Sequence, residues 1–118
     1  MTPQRYRAWL QLLRDGNQNM VRVWGGGIYE DDAFYDACDG MTYIYSYFEF
    51  ESQAPPELGL LIWQDFQMTS GIYPGVDDFP ESFQAEAEDN IRRLRHHPSL
   101  VLFCGGNENY QQIRQCSE

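Results

Sequence analysis

The sequence predicts an α/β fold built on a parallel sheet, and three observations carry that prediction. Short apolar runs alternate with amphipathic helical stretches in the order helix, strand, helix, strand, helix, strand. The runs are apolar throughout, as in parallel strands covered by helices on at least one face. Polar residues follow each run, at 25–29, at Gln64-Asp65 and at Asn107-Glu108-Asn109. In parallel α/β folds the ligand site lies beyond the carboxyl ends of the strands, so three strand ends point their polar residues at one place.

Each element has a local reason. Residues 3–15 form a helix: Thr2 can cap it, Pro3 suits its first position, and Tyr6, Trp9, Leu10 and Leu13 recur on one face. Gly16 ends it. Met20, Val21, Val23 and Trp24 make a buried strand, stopped by Gly25-Gly26-Gly27. Residues 30–39 make a second helix, with Phe34, Tyr35 and Cys38 on one face and acids in the first turn. The run at 58–63 is too short for a helix and reads as a second buried strand. Residues 80–95 form a long helix, acidic at its start (Glu81, Glu86, Glu88, Asp89) and basic at its end (Arg92, Arg93, Arg95), in accord with the helix dipole. Pro98 closes it. The third buried strand runs over 100–103, before Gly105-Gly106.

One segment breaks the pattern. Residues 40–56 carry Tyr43, Tyr45, Tyr47, Phe48 and Phe50 where a helix-to-strand loop of about two to six residues is expected.

Composition removes several function classes. The 118 residues hold 18 Asp and Glu against 8 Lys and Arg, a net charge of −10. That balance opposes nucleic-acid binding, which needs surplus cations against phosphate, and opposes an anionic membrane surface. An aromatic content of 15% argues against a disordered acidic tail. No apolar run nears the roughly 18 residues of a membrane span. Residues 1–14 contain no continuous apolar stretch of signal-peptide type, which sets the expectation of a cytoplasmic protein. Cys38, Cys104 and Cys116 show no CxxC or Cys/His spacing and read as free thiols, not as a disulfide or zinc set.

Several residues could carry chemistry, each beside a structural alternative. Gly25-Gly26-Gly27 follows a strand but lacks a GxGxxG or Gly-Lys-Ser/Thr context, so a tight turn is the better account. Trp24, at a strand's carboxyl end, is either core or a sugar-stacking platform. His96 and His97 point about 100° apart on a helix and suit its C-terminus better than a shared metal ion. Glu108, flanked by Asn107 and Asn109, is either a general acid or part of a helix cap. Asp65 is likewise a site residue or a cap.

Taken together, the segments resemble the β-mannosidases of glycoside hydrolase family 2. The resemblance rests on the blocks Arg22-Val23-Trp24-Gly25-Gly26-Gly27-Ile28-Tyr29-Glu30, Phe34-Tyr35-Asp36-Ala37-Cys38-Asp39, Leu61-Ile62-Trp63-Gln64-Asp65-Phe66, Arg92-Arg93-Leu94-Arg95-His96-His97-Pro98-Ser99 and Gly106-Asn107-Glu108-Asn109. The start, Thr2-Pro3 with Arg5-Tyr6-Arg7 and Trp9, is similar to the fungal intracellular type. The resemblance implies a partial (β/α)8 barrel, about strands two to four with their helices. It implies retaining hydrolysis of terminal, non-reducing β-D-mannose from β-mannosides, including N-glycan and mannan oligosaccharides, with two Glu residues, no cofactor and no metal. Glu108 would be the acid/base and Asn107 would bind the sugar 2-hydroxyl. Trp24 would line the mannose subsite, with Asp65 nearby.

No position of this sequence matches the family's nucleophile, a Glu at the end of the seventh strand. A barrel needs about 250 residues. The chain therefore reads as a fragment of a catalytic barrel, inactive on its own. The alternative is a non-catalytic carbohydrate- or partner-binding remnant. The family pattern Cys-Asp-Glu-Leu-Gly is split here between Cys38-Asp39 and Glu57-Leu58-Gly59. The 17 residues of 40–56 correspond to 51 nucleotides and read as a translated, unspliced intron, with an added β-hairpin as the rival.

Overall fold

The computed structural model of this chain describes residues 1–39, 59–76 and 78–111. Six elements follow one another: α1 (Pro3–Asp15), β1 (Met20–Val23), α2 (Asp32–Cys38), β2 (Leu61–Asp65), α3 (Phe79–Leu94) and β3 (Leu100–Cys104). The three strands form one parallel sheet in the order β1-β2-β3. The expected helix-strand alternation is therefore what the chain adopts.

The helix ends obey local chemistry. Thr2 Oγ1 accepts the Arg5 N–H at 3.3 Å, and Asp31 caps α2 through the Ala33 N–H at 3.0 Å. In α3, Glu81 lies in the first turn and Arg92 and Arg93 in the last, matching the dipole. Arg93 leaves that helix to pair with Asp32 and to donate to the Glu30 carbonyl at 3.1 Å, tying α3 to the start of α2.

One hydrophobic cluster unites all three helices with one side of the sheet. Tyr6 and Leu10 of α1, Phe34, Tyr35, Ala37 and Cys38 of α2, and Leu94 of α3 meet Val23, Leu60 and Ile62, with Val21, Leu100 and Phe103 packed against them. Burial of an Ile or Leu such as Ile62 or Leu60 contributes roughly 1.5–3 kcal/mol. On β1 and β3 the residues outside this cluster stay in water: Met20 is 39% exposed, Val101 52% and Leu102 44%. The expectation of fully buried strands thus needs correction. Among the described residues the helices cover a single face of the sheet.

Other boundaries differ from the sequence reading. The second strand begins at Leu61 and includes Gln64 and Asp65, because parallel pairing to both neighbours carries it that far. Gln64 sits buried inside the sheet, its Oε1 accepting the Tyr35 hydroxyl at 2.6 Å. Trp9 shares a helix face with Tyr6 yet is 58% exposed. It borders an apolar cleft of about 240 Å³ with Tyr6, Leu13, Val21 and Phe34. His97 is no surface base at a helix end. It is buried, and its Nδ1 lies 2.5 Å from Asp39 Oδ2, while Asp39 Oδ1 accepts the Ser99 N–H at 3.0 Å. This clamp joins the end of α2 to the entry of β3, opposite the strands' carboxyl ends. The aromatic segment 40–56 lies outside the described residues.

Candidate functional site

The carboxyl ends of the three strands converge on one polar network, and Arg22 of β1 is its centre. Residues of opposite parity face opposite sides of a strand. Val21 and Val23 enter the core, so Arg22 points to the uncovered face, beside its register partner Trp63. Its guanidinium lies 4.7 Å from the Trp63 ring centroid. Its Nη2 donates to Asp65 Oδ2 at 2.6 Å and its Nε reaches both Asp65 oxygens at 3.1 Å. The Gly25 N–H adds a fourth hydrogen bond at 3.3 Å. Asp65 is fully buried, and this donor set is what a buried carboxylate requires. The hydrogen bond to Asp65 raises the Arg22 pKa above its ordinary value, so Arg22 stays charged.

Arg22 Nη2 also donates to Asn107 Oδ1 at 2.9 Å. The Asn107 amide in turn donates to Thr69 Oγ1 at 3.3 Å. Backbone pairing welds the loop after β2 to the loop after β3: the Asn107 N–H donates to the Met68 carbonyl at 2.8 Å, and the Ser70 N–H to the Asn107 carbonyl at 2.9 Å. Tyr73 closes the first loop on itself. Its hydroxyl accepts the Thr69 N–H at 2.7 Å and donates to the Thr69 carbonyl at 3.0 Å.

Glu108 follows Asn107 and is exposed, with φ at 59°, and its Oε2 accepts the Ser70 hydroxyl at 3.1 Å. A left-handed backbone at a residue with a Cβ costs roughly 1–2 kcal/mol and persists only where its surroundings enforce it. The two loop-to-loop hydrogen bonds made by the preceding Asn107 supply that enforcement.

Gly25 marks the closest approach of the loops. A Cβ there would lie 2.3 Å from the Phe66 carbonyl oxygen. The Gln67 amide, with its nitrogen turned toward β1, donates to the carbonyls of Gly27 at 2.8 Å and Gly25 at 3.2 Å. No phosphate cradle is needed to account for the three glycines.

The structure brings together Asp65, Asn107 and Glu108. Trp24 stands just past β1, 49% exposed, with its ring against Gly26, so it is not a core residue here. Asp65 is not a helix cap but a strand residue paired with Arg22. Sequence reasoning missed Arg22, Thr69, Ser70 and Tyr73 as site residues. Arg22 offered a signal, as a charge inside an apolar run. Thr69 and Ser70 offered none, since their partners are 38 positions away, and Tyr73 gains its role only by closing the loop on Thr69. Among the described residues, Asp36, Asp39 and His97 form a cluster that could hold a metal ion. Its central Asp39 is already engaged by Ser99 and His97, on the far side of the fold from Glu108.

No family model matches the chain. Beta-mannosidase B of Aspergillus niger is 50% identical over 115 residues, covering 98% of this chain and 12% of that protein. Beta-mannosidase B of Emericella nidulans is 49% identical over the same length and shares. Among solved structures, the β-D-mannosidase of Dictyoglomus thermophilum superposes with a TM-score of 0.75 at 41% identity, over 93% of this chain and 12% of that one. The β-glucuronidase of Parabacteroides merdae reaches 0.67 at 22% identity, a likeness of fold alone. The chain spans about 12% of the length of the relatives it matches. Over nearly its whole length, this chain is homologous to one segment of the β-mannosidases, which are glycosidases.

Proposed function

We propose that the chain forms one arc of a (β/α)8 barrel, about strands two to four, and carries the acid/base side of a retaining β-mannosidase site. Parallel strands in sequential order with all the described helices on one side fit the wall of a barrel, whereas a doubly wound sheet carries helices on both faces. On this reading the uncovered face, with Arg22 and Trp63, is the barrel interior. The observation that carries the functional reading is the Arg22 bridge from Asp65 to Asn107, which presents Asn107 and Glu108 together at the strands' carboxyl ends.

In this role Glu108 gives its proton to the glycosidic oxygen as the bond from that oxygen to the sugar's C1 breaks. It then takes a proton from the water that releases the sugar from the nucleophile, a second carboxylate to which no position of this chain corresponds. Asn107 contributes its second amide hydrogen to the sugar 2-hydroxyl, the first being held by Thr69. Trp24 offers a half-exposed ring to the mannose, and Asp65 acts indirectly by holding Arg22. The substrates are β-mannosides with mannose at the non-reducing end. A non-catalytic remnant is not favoured, since the relatives are named as β-mannosidases.

The test is Glu108→Gln in a full-length β-mannosidase carrying this segment. Replacing the acid should cut turnover of a mannoside with a poor leaving group by on the order of 10² or more. An activated aryl mannoside, which needs little protonation, should lose much less at the glycosylation step. Unchanged kinetics on both would remove the assignment.

A further inference from the structure

The loop after β2 offers Glu108 more than a neighbour. Four hydrogen bonds run in series from β1 to the carboxylate. Arg22 Nη2 donates to Asn107 Oδ1 (2.9 Å), Asn107 Nδ2 to Thr69 Oγ1 (3.3 Å), and Ser70 Oγ to Glu108 Oε2 (3.1 Å), while Thr69 Oγ1 and Ser70 Oγ lie 3.4 Å apart. One assignment satisfies every group. Arg22 can only donate, which turns the Asn107 oxygen toward it and the Asn107 nitrogen toward Thr69. Thr69 then accepts from Asn107 and has its own proton free for Ser70. Ser70 accepts that proton and spends its own on Glu108. All four donors point the same way, toward the carboxylate, and hydrogen bonds aligned in this sense strengthen one another.

We propose that Ser70 is a positioning residue for Glu108: its hydroxyl, the last donor of this chain, fixes the carboxyl so that Oε1 carries the proton delivered to the leaving group. This rests on the acid/base reading of Glu108 given above. With Oε2 occupied as acceptor, Oε1 is the oxygen left to bear a proton. The backbone supports the placement. Ser70 has φ at 46° and Glu108 φ at 59°, so both residues are held in the sparsely populated left-handed region, facing each other across the Met68–Asn107 and Ser70–Asn107 backbone pairs. The Tyr73 hydroxyl, bonded to both backbone groups of Thr69, keeps the loop from opening. Ser70 and Tyr73 lie outside the three strands and the core cluster, and the Tyr73 ring is held by stacking on Phe79 at 5.6 Å, which fixes the loop junction.

The experiment compares Ser70→Ala and Ser70→Thr, the latter retaining a hydroxyl. In the 118-residue chain, NMR scalar couplings read the Glu108 side-chain rotamers. Wild type and Ser70→Thr should hold one dominant rotamer; Ser70→Ala should average over several, with the resonances of Ile62 and Leu94 in place. In a full-length β-mannosidase carrying this segment, Ser70→Ala should lower kcat/KM about tenfold for a poor leaving group, the effect of losing one hydrogen bond to a carboxyl that becomes charged as it gives up its proton. It should lower it less than twofold for an activated one, and Ser70→Thr should restore most of the loss. Identical rotamers in wild type and Ser70→Ala, or equal losses for both leaving groups, overturn the proposal. Glu108→Gln run alongside separates the two claims. If Glu108→Gln shows the leaving-group dependence and Ser70→Ala does not, only the positioning role fails. If Glu108→Gln shows none, the acid/base reading fails, and the rotamer measurement still decides whether Ser70 holds the carboxyl.

Discussion

At Asn107 a single amide is held from both ends, by Arg22 on its oxygen and Thr69 on its nitrogen. Arg22 in turn answers a fully buried carboxylate at Asp65. Removing the guanidinium with Arg22→Met leaves that carboxylate short of three hydrogen bonds. The expected loss of stability is about 3 kcal/mol, at the low end for a broken buried pair because the Arg22 side chain keeps 37% of its exposure to water. Urea unfolding of the two chains measures it, and a loss under about 0.5 kcal/mol would make this an ordinary surface pair. Cys38 is the second residue with a sharp expectation. Burial pushes its thiol up to about 12 from 9.0, with the Asp39 charge adding to the shift. In the folded chain Cys38 therefore stays a neutral thiol at pH 8 and resists a thiol reagent that modifies partly exposed Cys104. Above pH 9 the unfolded thiol ionises while the folded one does not, so the unfolded state binds fewer protons. Stability from this group is complete below pH 9 and falls as pH rises toward 12. Rapid labelling of Cys38 in native conditions at pH 8 would contradict its packing.

Among the elements, β2 does the most to assemble the site. It lies between β1 and β3, sends Ile62 and Gln64 into the core and turns Trp63 toward Arg22. Its end, Asp65, and the following loop then receive groups from both neighbours. The tightest junction is Gly25 against the Phe66 carbonyl. A methyl group there cannot fit at 2.3 Å, and both partners are backbone, so the loops must separate. Gly25→Ala is expected to destabilise by about 1–3 kcal/mol, the range for overpacking, and to lengthen the Gly25–Asp65 hydrogen bond. Gly27→Ala, whose Cβ would meet nothing nearer than 3.5 Å, is the control and should be close to neutral. Equal unfolding free energies for the two variants would show that the close approach does not matter. Helix α1 was legible from its cap and apolar spacing, and α2 from its apolar face and first-turn acids, because these signals are local. The end of β2 was not, because Gln64 and Asp65 are polar and only their partners, Tyr35 and Arg22, let them lie in a buried strand.

For the molecule as a whole, the uncovered sheet face and the position of Glu108 lead to one expectation about activity. Retaining hydrolysis needs two carboxyl groups about 5–5.5 Å apart across the sugar. On the acid/base reading proposed above, this chain offers Glu108 alone. The purified 118-residue chain should therefore release no mannose from an aryl β-mannoside above a Glu108→Gln control. Release above that control would require a second carboxylate from within these residues.

The amino-acid sequence by itself determined the order of elements, the parallel α/β class, and the residues Asp65, Asn107 and Glu108 as a group. Those follow from periodicity, capping and the rule that polar residues gather past strand ends, all of which act over a few positions. Only the tertiary structure decided that Arg22 joins Asp65 to Asn107, that His97 is buried against Asp39, and that Ser70 meets Glu108. Each of those pairs spans from 38 to 85 positions of chain. No local pattern records such a contact; it arises where parallel pairing sets three strand ends side by side and buried charge must find its partner.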